Sequence, residues 1–299
     1  MKISYIFGAQ RQPTLRMILT LFLLMLGGLL LTNVTGALLM KVASFSTALK
    51  WTTVVQNLLA FVFPALVVGF MYVRKPMYYL GVANRPSLLA MAGVAAVYVL
   101  MTPAMNTLIA WNENWTLPAA FSELETVLRS QEESARQMTE QLLDVSSFGS
   151  MLMTVLYIGV LTGICEELFF RGALQRILQV AMPNAHMAVW TSALVFSVLH
   201  FQFFGLVPRM CLGAFFGYMF LWSGSLWPAI LGHVMNNSLV VIFTYMEKNG
   251  ILDSSMDKLG TEGEAAPMIA AMSAVLTVVT MVWLSRKLKK SHKECRIEK

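Results

Sequence analysis

The chain has 299 residues, of which 57% are hydrophobic and only 13% are charged, whereas about 25% of residues are charged in soluble domains. This composition excludes an ordinary soluble domain and indicates an integral membrane protein. The net charge of +6 does not indicate nucleic-acid binding, because the basic residues lie between apolar segments and in the tail, as at the cytoplasmic flanks of membrane helices.

Eight apolar segments are long enough to cross a membrane, which takes about 17 to 25 residues. The first begins near Met17 and is too long for the apolar region of a signal peptide, so we expect it to be retained. Pro64 and Pro103 lie inside the second and third segments, where membrane helices tolerate proline. The predicted spans are 17–40, 53–73, 87–110, 148–170, 186–203, 207–223, 227–246 and 267–285.

Charges between the predicted spans alternate in sign, as the positive-inside rule requires. The loop 111–147 holds seven acidic residues and the segment 247–265 holds five, and both fall on the same side. The basic tail falls on the opposite side with Lys2, Arg11, Arg16, Arg74, Lys75, Arg85, Arg171 and Arg176. We therefore predict an all-α polytopic membrane protein of about eight transmembrane helices with both termini cytoplasmic, and a single transmembrane domain over residues 1–299.

Two further patterns bear on the packing of the chain. Residues 120–145 are predicted to form an amphipathic helix outside the bilayer, with a solvated surface helix as its simplest role. Gly213 and Gly217 in the sixth span permit a close helix contact. The cysteines are too few and scattered for a disulfide framework or metal site, so we interpret them as apolar fillers; they are Cys165, Cys211 and Cys295.

Several polar side chains lie in or at the ends of the predicted spans, although a charged residue costs about 2.5 to 3.5 kcal/mol at the centre of a membrane helix. Such residues are usually functional. They are Glu166, Glu167 and Arg171 of the fourth span, His200 of the fifth, and His233 and Asn237 of the seventh.

Helical geometry predicts different surroundings for these side chains. Glu167 and Arg171 are one turn apart and can neutralise each other, while Glu166 points about 100° away from them. Phe196 precedes His200 by one turn, so its ring can pack beside the imidazole. Taken singly, each feature is also explained by helix packing or by an ion network at a helix end.

The depths of these polar residues in the membrane suggest that they share one location. Glu166 and His200 are each 17 residues from Pro183, so an antiparallel hairpin brings them to one level. His233 would lie about 12 Å nearer the cytoplasm, unless residues 171–180 protrude from the bilayer. We expect one polar cluster in the cytoplasmic half of the membrane.

Three motifs then stand in order along the chain: EELFFR, FSVLH and HVMNN. Together they resemble the signature of the CAAX protease and bacteriocin-processing (Abi) family of intramembrane proteases. The matched region runs from Glu166 to Asn237, and we expect the family-like catalytic core at about 148–246. The resemblance implies a core of eight helices with its active site open to the cytosol.

The resemblance also implies roles for the motif residues. Glu166 and His200 would activate the attacking water, and His233 and Asn237 would stabilise the oxyanion. The supporting residues would be Glu167, Arg171 and Phe196. The interval from His200 to His233 is shorter than in prenyl-processing members of the family, which argues against a prenylated substrate.

This chemistry requires neither a serine nor a cysteine nucleophile, since a carboxylate can act as general base and two donors can face the developing oxyanion. A metal is a second possibility. Glu166, His200 and His233 could supply three zinc ligands and leave a fourth position for water. Because the chain has no H-E-x-x-H motif, we expect no cofactor, with zinc as the alternative.

The leading functional hypothesis is an intramembrane endopeptidase that cleaves a protein or peptide substrate near the cytoplasmic face. The alternative is a non-proteolytic membrane scaffold or bacteriocin-immunity-type protein that uses the same polar cluster. A small-molecule transporter is a third class, disfavoured because we find no paired repeats. We expect a multi-pass protein of a bacterial plasma membrane, with the lipid bilayer and its substrate as partners and without nucleic acid.

Overall fold

The computed structural model describes residues 14–143, 145–252 and 258–297, with side chains as far as Leu288. The predictions for Lys2, Arg11, Asp144, Asp253, Asp257, the side chain of Cys295 and the basic tail beyond Leu288 lie outside this description. The main helices are α1 (Thr14–Val42), α2 (Phe45–Tyr72), α3 (Pro76–Tyr79), α4 (Leu88–Glu113), α5 (Ser122–Leu142), α6 (Phe148–Ala181), α7 (Ala185–Val198), α8 (Leu206–Ser223), α9 (Trp227–Lys248) and α10 (Ala266–Ile297).

The regular elements of these ranges are all helical, so the predicted all-α fold class is confirmed. Seven of the described helices are long and apolar enough to cross a membrane, and α7 is a shorter apolar helix. The protein is therefore a multi-pass membrane protein. The helix α7 has 14 residues, or about 21 Å, whereas the hydrocarbon core of a bilayer is about 30 Å thick.

The end of α7 corrects the prediction for residues 186–203. The helix stops at Val198, so His200 lies in the turn after it and not within a helix. Phe201 follows with a left-handed backbone, φ 54°, which is unfavourable for a bulky residue and ends the helix. His200 Nδ1 lies 2.8 Å from the carbonyl oxygen of Phe196 in the last turn.

The helix α6 is longer and less regular than the predicted span 148–170. It runs as far as Ala181 and contains two π-helical segments, Val155–Leu161 and Leu168–Gln175. The six residues between them, Thr162–Glu167, are α-helical and carry both glutamates. Turns of π-helix are frequent at functional sites, and their i→i+5 bonding changes the angle between successive side chains.

Glycines allow α6 to lie close to α9. Gly159 faces Ser238, and Gly163 faces Val234 one turn further along. Small residues at such positions let membrane helices approach closely. Because α6 and α9 are antiparallel, this contact brings the glutamates of α6 to the level of His233.

The helix predicted within the acidic loop is confirmed as α5, none of whose residues is buried. Exposed ion pairs join Arg136 to Glu133 and Glu140 on its surface. Hydrogen bonds from Arg136 and Gln137 lower the pKa of Glu133 to about 2. Glu133 is therefore ionised at neutral pH and belongs to a surface network that is separate from the membrane-embedded cluster.

Candidate active site

The expected pair of Glu167 and Arg171 is present and fully buried. Arg171 Nη1 donates to Glu167 Oε1 at 2.5 Å, and the two side chains are 1% and 0% exposed. A buried charge of either sign is costly unless a partner neutralises it. The pair therefore makes it possible to keep two charged side chains inside the helix bundle.

Arg171 also connects α6 to α8. Its Nη2 atom donates to the carbonyl oxygen of Gly213 at 3.0 Å. The absence of a side chain on Gly213 leaves room for the guanidinium. Four residues further along, Gln175 Nε2 donates to the carbonyl oxygen of Gly217, again at 3.0 Å. The predicted close helix contact at these glycines is confirmed, and it is a contact within the chain.

Aromatic rings surround the buried cation. The guanidinium carbon of Arg171 lies 4.7 Å from the centre of the Phe196 ring and 5.6 Å from that of Phe216. Arginine is suited to this environment, because its planar guanidinium stacks on aromatic faces and is weakly hydrated. The rings thus hold Arg171 and exclude water from its pairing with Glu167.

His233 is held by the same carboxylate oxygen as Arg171. Its Nδ1 atom lies 2.8 Å from Glu167 Oε1, and its ring stacks on Phe216 with centroids 5.3 Å apart. A carboxylate can only accept here, so Nδ1–H donates and the orientation of the imidazole is fixed. The second nitrogen, Nε2, is left to face Glu166.

Glu166 has surroundings different from those of its neighbour. Its Oε2 atom lies 3.6 Å from His233 Nε2, beyond ordinary hydrogen-bond distance. The Glu166 side chain is 11% exposed, while that of Glu167 is fully buried and bonded twice. Both bonds to Glu167 end on Oε1, and its Oε2 atom is buried without a hydrogen-bond partner among the described residues. What distinguishes Glu166 is therefore its limited access to solvent.

His200 joins the cluster through Phe196. The two rings meet edge to face with centroids 4.8 Å apart, and the ring of His233 contacts Phe196 at 5.8 Å. Because a carbonyl oxygen only accepts, His200 Nδ1–H donates to the Phe196 backbone and leaves Nε2 available. Within the described residues no hydrogen bond or ion pair joins His200 to Glu166.

Asn237 lies one turn beyond His233 but has other partners. Its Nδ2 atom donates to the carbonyl oxygen of Ile158 at 3.3 Å, inside the first π-helical segment of α6. Its Oδ1 atom accepts from Asn236 Nδ2 at 3.0 Å. An asparagine amide has two N–H donors, so one remains for another acceptor.

Sequence reasoning missed a cation at this site. Arg209, on the first turn of α8, interacts electrostatically with Glu166 and His200. Its Nη2 atom donates to Gln202 Oε1 at 2.7 Å. The signal was available, because Arg209 is an ionisable residue inside a predicted span and such residues are usually functional.

The three candidate metal ligands do not assemble as a zinc triad. Glu166 and His233 approach each other, whereas within the described residues no hydrogen bond or ion pair joins His200 to either of them. The ring of His200 contacts Phe196, which also contacts His233. Across the ranges that the structure describes, no group of three or more His, Cys, Asp or Glu side chains is arranged to hold a metal ion. A catalytic zinc site with three protein ligands is therefore not preformed in this arrangement.

Comparison with known proteins identifies the segment that carries the cluster. Residues 148–239 match the family model described as type II CAAX prenyl endopeptidase Rce1-like. The chain is also similar to the uncharacterized protein YpbD of Bacillus subtilis (strain 168), with 26% identity over 83 residues. This match covers 26% of the chain and 39% of the length of YpbD. No solved structure shows a significant match.

The matched segment contains all three motifs, the helices α6 to α8 and the first part of α9. It extends from the first residue of α6 to the middle of α9, so it includes every residue of the cluster described above. The resemblance inferred from the motifs is confirmed over this segment, which is similar to the CAAX-protease-type membrane endopeptidases.

Proposed function

We propose that the protein is an intramembrane endopeptidase in which Glu166 activates a water molecule for attack on a peptide bond. The observation that carries this proposal is that the two glutamates differ in their hydrogen-bond partners and in their burial. Glu167 Oε1 accepts from Arg171 and His233 and the Glu167 side chain is fully buried, whereas Glu166 lies beside His233 Nε2 with limited access to solvent. A positioned carboxylate of this kind is a general base.

His200 supports the same reaction from the other side of Phe196. With Nδ1–H committed to a backbone carbonyl, its Nε2 atom can accept a hydrogen bond from water or relay a proton. The proton removed from water by Glu166 is later delivered to the leaving amine, which completes hydrolysis of the peptide bond. No covalent intermediate with the enzyme is required.

His233 and Asn237 are proposed to stabilise the tetrahedral intermediate. The imidazole of His233 faces Glu167 through Nδ1 and Glu166 through Nε2, and a proton carried on Nε2 can be donated to the oxyanion. Asn237 has one N–H not used by Ile158. Donors fixed before the reaction stabilise developing charge without reorganisation during it.

The resemblance to the CAAX-type endopeptidases supports a proposal for the class of substrate. We propose a protein or peptide substrate cleaved near the cytoplasmic membrane face, a proposal supported by the resemblance of residues 148–239 to the CAAX-type endopeptidases. A bacterial plasma membrane is the proposed location, in keeping with the bacterial source of the similar protein. Reporter peptides with and without an S-prenyl cysteine distinguish a prenylated substrate from an unmodified one.

The proposed function is tested by comparing protein termini in cells that contain either wild-type protein or Glu166→Gln. We expect a defined set of new termini in membrane proteins that disappears in the variant. Glu140→Gln, an exposed glutamate on α5, is the matched control and should leave the set unchanged. Identical termini in all three strains, with folded protein in each, would exclude the protease and favour a scaffold or immunity role.

A second prediction concerns metal. Because three ligands are not assembled around one point, we expect the purified protein to keep its peptidase activity after dialysis against EDTA and 1,10-phenanthroline. Cleavage of a fluorogenic peptide before and after dialysis measures this. Loss of activity that returns on addition of zinc would contradict the metal-free mechanism and indicate that Glu166, His200 and His233 converge on an ion.

A further inference from the structure

The loop after α7 is under local strain. Phe201, directly after His200, has φ 54° and a side chain that is 71% exposed. A left-handed conformation at a bulky residue is energetically unfavourable and persists only where the surroundings impose it. The strained residue is thus adjacent to a candidate catalytic histidine, and the contacts that impose this conformation determine where His200 lies.

An acidic residue of α5 supplies two of these contacts. Glu132 Oε1 accepts from Gln202 Nε2 at 3.2 Å, and Glu132 Oε2 accepts from the backbone N–H of Phe204 at 3.3 Å. Both oxygens of one carboxylate are therefore used to hold residues 202 and 204. Hydrogen bonds to an ionised acceptor are among the stronger ones in proteins.

Arg129, one turn before Glu132 on α5, provides a second attachment. Its guanidinium carbon lies 4.2 Å from the centre of the Phe204 ring. Its Nη2 atom donates to the carbonyl oxygen of Trp115 at 2.8 Å, which ties α5 to the segment after α4. The contact face of α5 consequently rests on the loop that carries His200.

The same network reaches the cation of the cluster. Gln202, held by Glu132 on its amide nitrogen, accepts from Arg209 Nη2 on its amide oxygen. Arg209 interacts electrostatically with both Glu132 and Glu166. A continuous chain of hydrogen bonds therefore runs from α5 through Gln202 to Arg209, whose charge acts on Glu166 without a direct contact among the described residues.

We propose that Glu132, on the surface helix α5, is a positioning residue for the active site: through Gln202 and the backbone of Phe204 it fixes the strained loop after His200 and the direction of Arg209. The proposal rests on the proposed function for its kinetic consequence. Its structural content, that Glu132 controls the placement of His200, holds independently of the reaction catalysed.

The kinetic test uses a fluorogenic peptide that wild-type protein cleaves and Glu166→Gln does not. In proteoliposomes, Glu132→Ala should lower kcat about 10- to 100-fold, since small displacements of reacting groups have effects of this size, with KM unchanged. Glu132→Gln keeps one oxygen acceptor and should retain more activity. Adding Gln202→Ala to Glu132→Ala should cause little further loss, because the two residues act in one network. Glu133→Ala is the matched control and should behave as wild type.

A second measurement follows His200 without reference to activity. Diethyl pyrocarbonate labelling, read by peptide mass spectrometry, should modify His200 faster in Glu132→Ala than in wild type or Glu133→Ala, while the exposed His186 reacts equally in all three. Equal labelling of His200, or a kcat in Glu132→Ala equal to that of Glu133→Ala, overturns the proposal. If wild-type protein cleaves no peptide, the proposed function fails and the labelling alone decides the role of Glu132.

Discussion

Glu166→Gln is expected to lower kcat for peptide cleavage about 10²- to 10⁴-fold, the usual contribution of a general base. The amide has the shape of the carboxylate but cannot take a proton from water. Because a neutral amide costs less to bury than a carboxylate, the variant should unfold at the wild-type temperature or above. Steady-state kinetics with a fluorogenic peptide and thermal unfolding in detergent provide the two measurements.

The neighbouring glutamate gives a sharp contrast. Glu167→Gln leaves the buried Arg171 without its charge partner, so that variant should lose both activity and stability. We therefore expect Glu166→Gln to lose activity but keep its stability, and Glu167→Gln to lose both. Wild-type kcat in Glu166→Gln would remove Glu166 from the mechanism and with it the central element of the proposal.

Arg171→Ala is expected to have the largest effect on stability, about 3 to 5 kcal/mol, as for other buried pairs that lose one partner. The substitution leaves the Glu167 carboxylate buried with only His233 as a partner, removes the bond to Gly213, and opens space between Phe196 and Phe216. The free energy of unfolding of a native protein is only about 5 to 15 kcal/mol in total. The yield of folded protein and the midpoint temperature of thermal unfolding should therefore both fall markedly.

Two variants control for this expectation. Arg136→Ala removes an exposed arginine that pairs with Glu133 and Glu140 on α5 and should cost no more than about 1 kcal/mol. Arg171→Met combined with Glu167→Gln removes both buried charges and should be less damaging than Arg171→Ala alone. A double variant as unstable as the single one would show that packing, and not the uncompensated carboxylate, determines the loss.

Much of the architecture was predictable because it depends on local patterns. Long apolar segments give the membrane helices, and the helical spacing within residues 120–145 gives α5. The pairing of Glu167 with Arg171 follows from their separation by one turn. In each case the physical determinant is contained within some twenty consecutive residues, so periodicity alone is sufficient.

Other features depend on contacts between distant segments. The depth calculation placed His233 away from Glu166 because it assumed straight, regular helices, whereas α6 contains two π-helical segments and packs on α9 through Gly159 and Gly163. The early end of α7 depends on a strained residue and on bonds to α5. The spacing of apolar residues along the chain predicts neither the approach of α6 to α9 nor the early end of α7.

The sequence by itself determined that this is an all-helical membrane protein and that its few intramembrane polar residues form a CAAX-protease-type signature, since burial cost makes such residues conspicuous. Tertiary structure decided that the Glu166 side chain has access to solvent and that of Glu167 does not. Glu167 receives both Arg171 and His233, and that choice depends on the approach of α9. It also decided that Glu132, far away in sequence and outside the motifs, reaches the loop of His200, because hydrogen bonds between helices are set by packing and not by spacing along the chain.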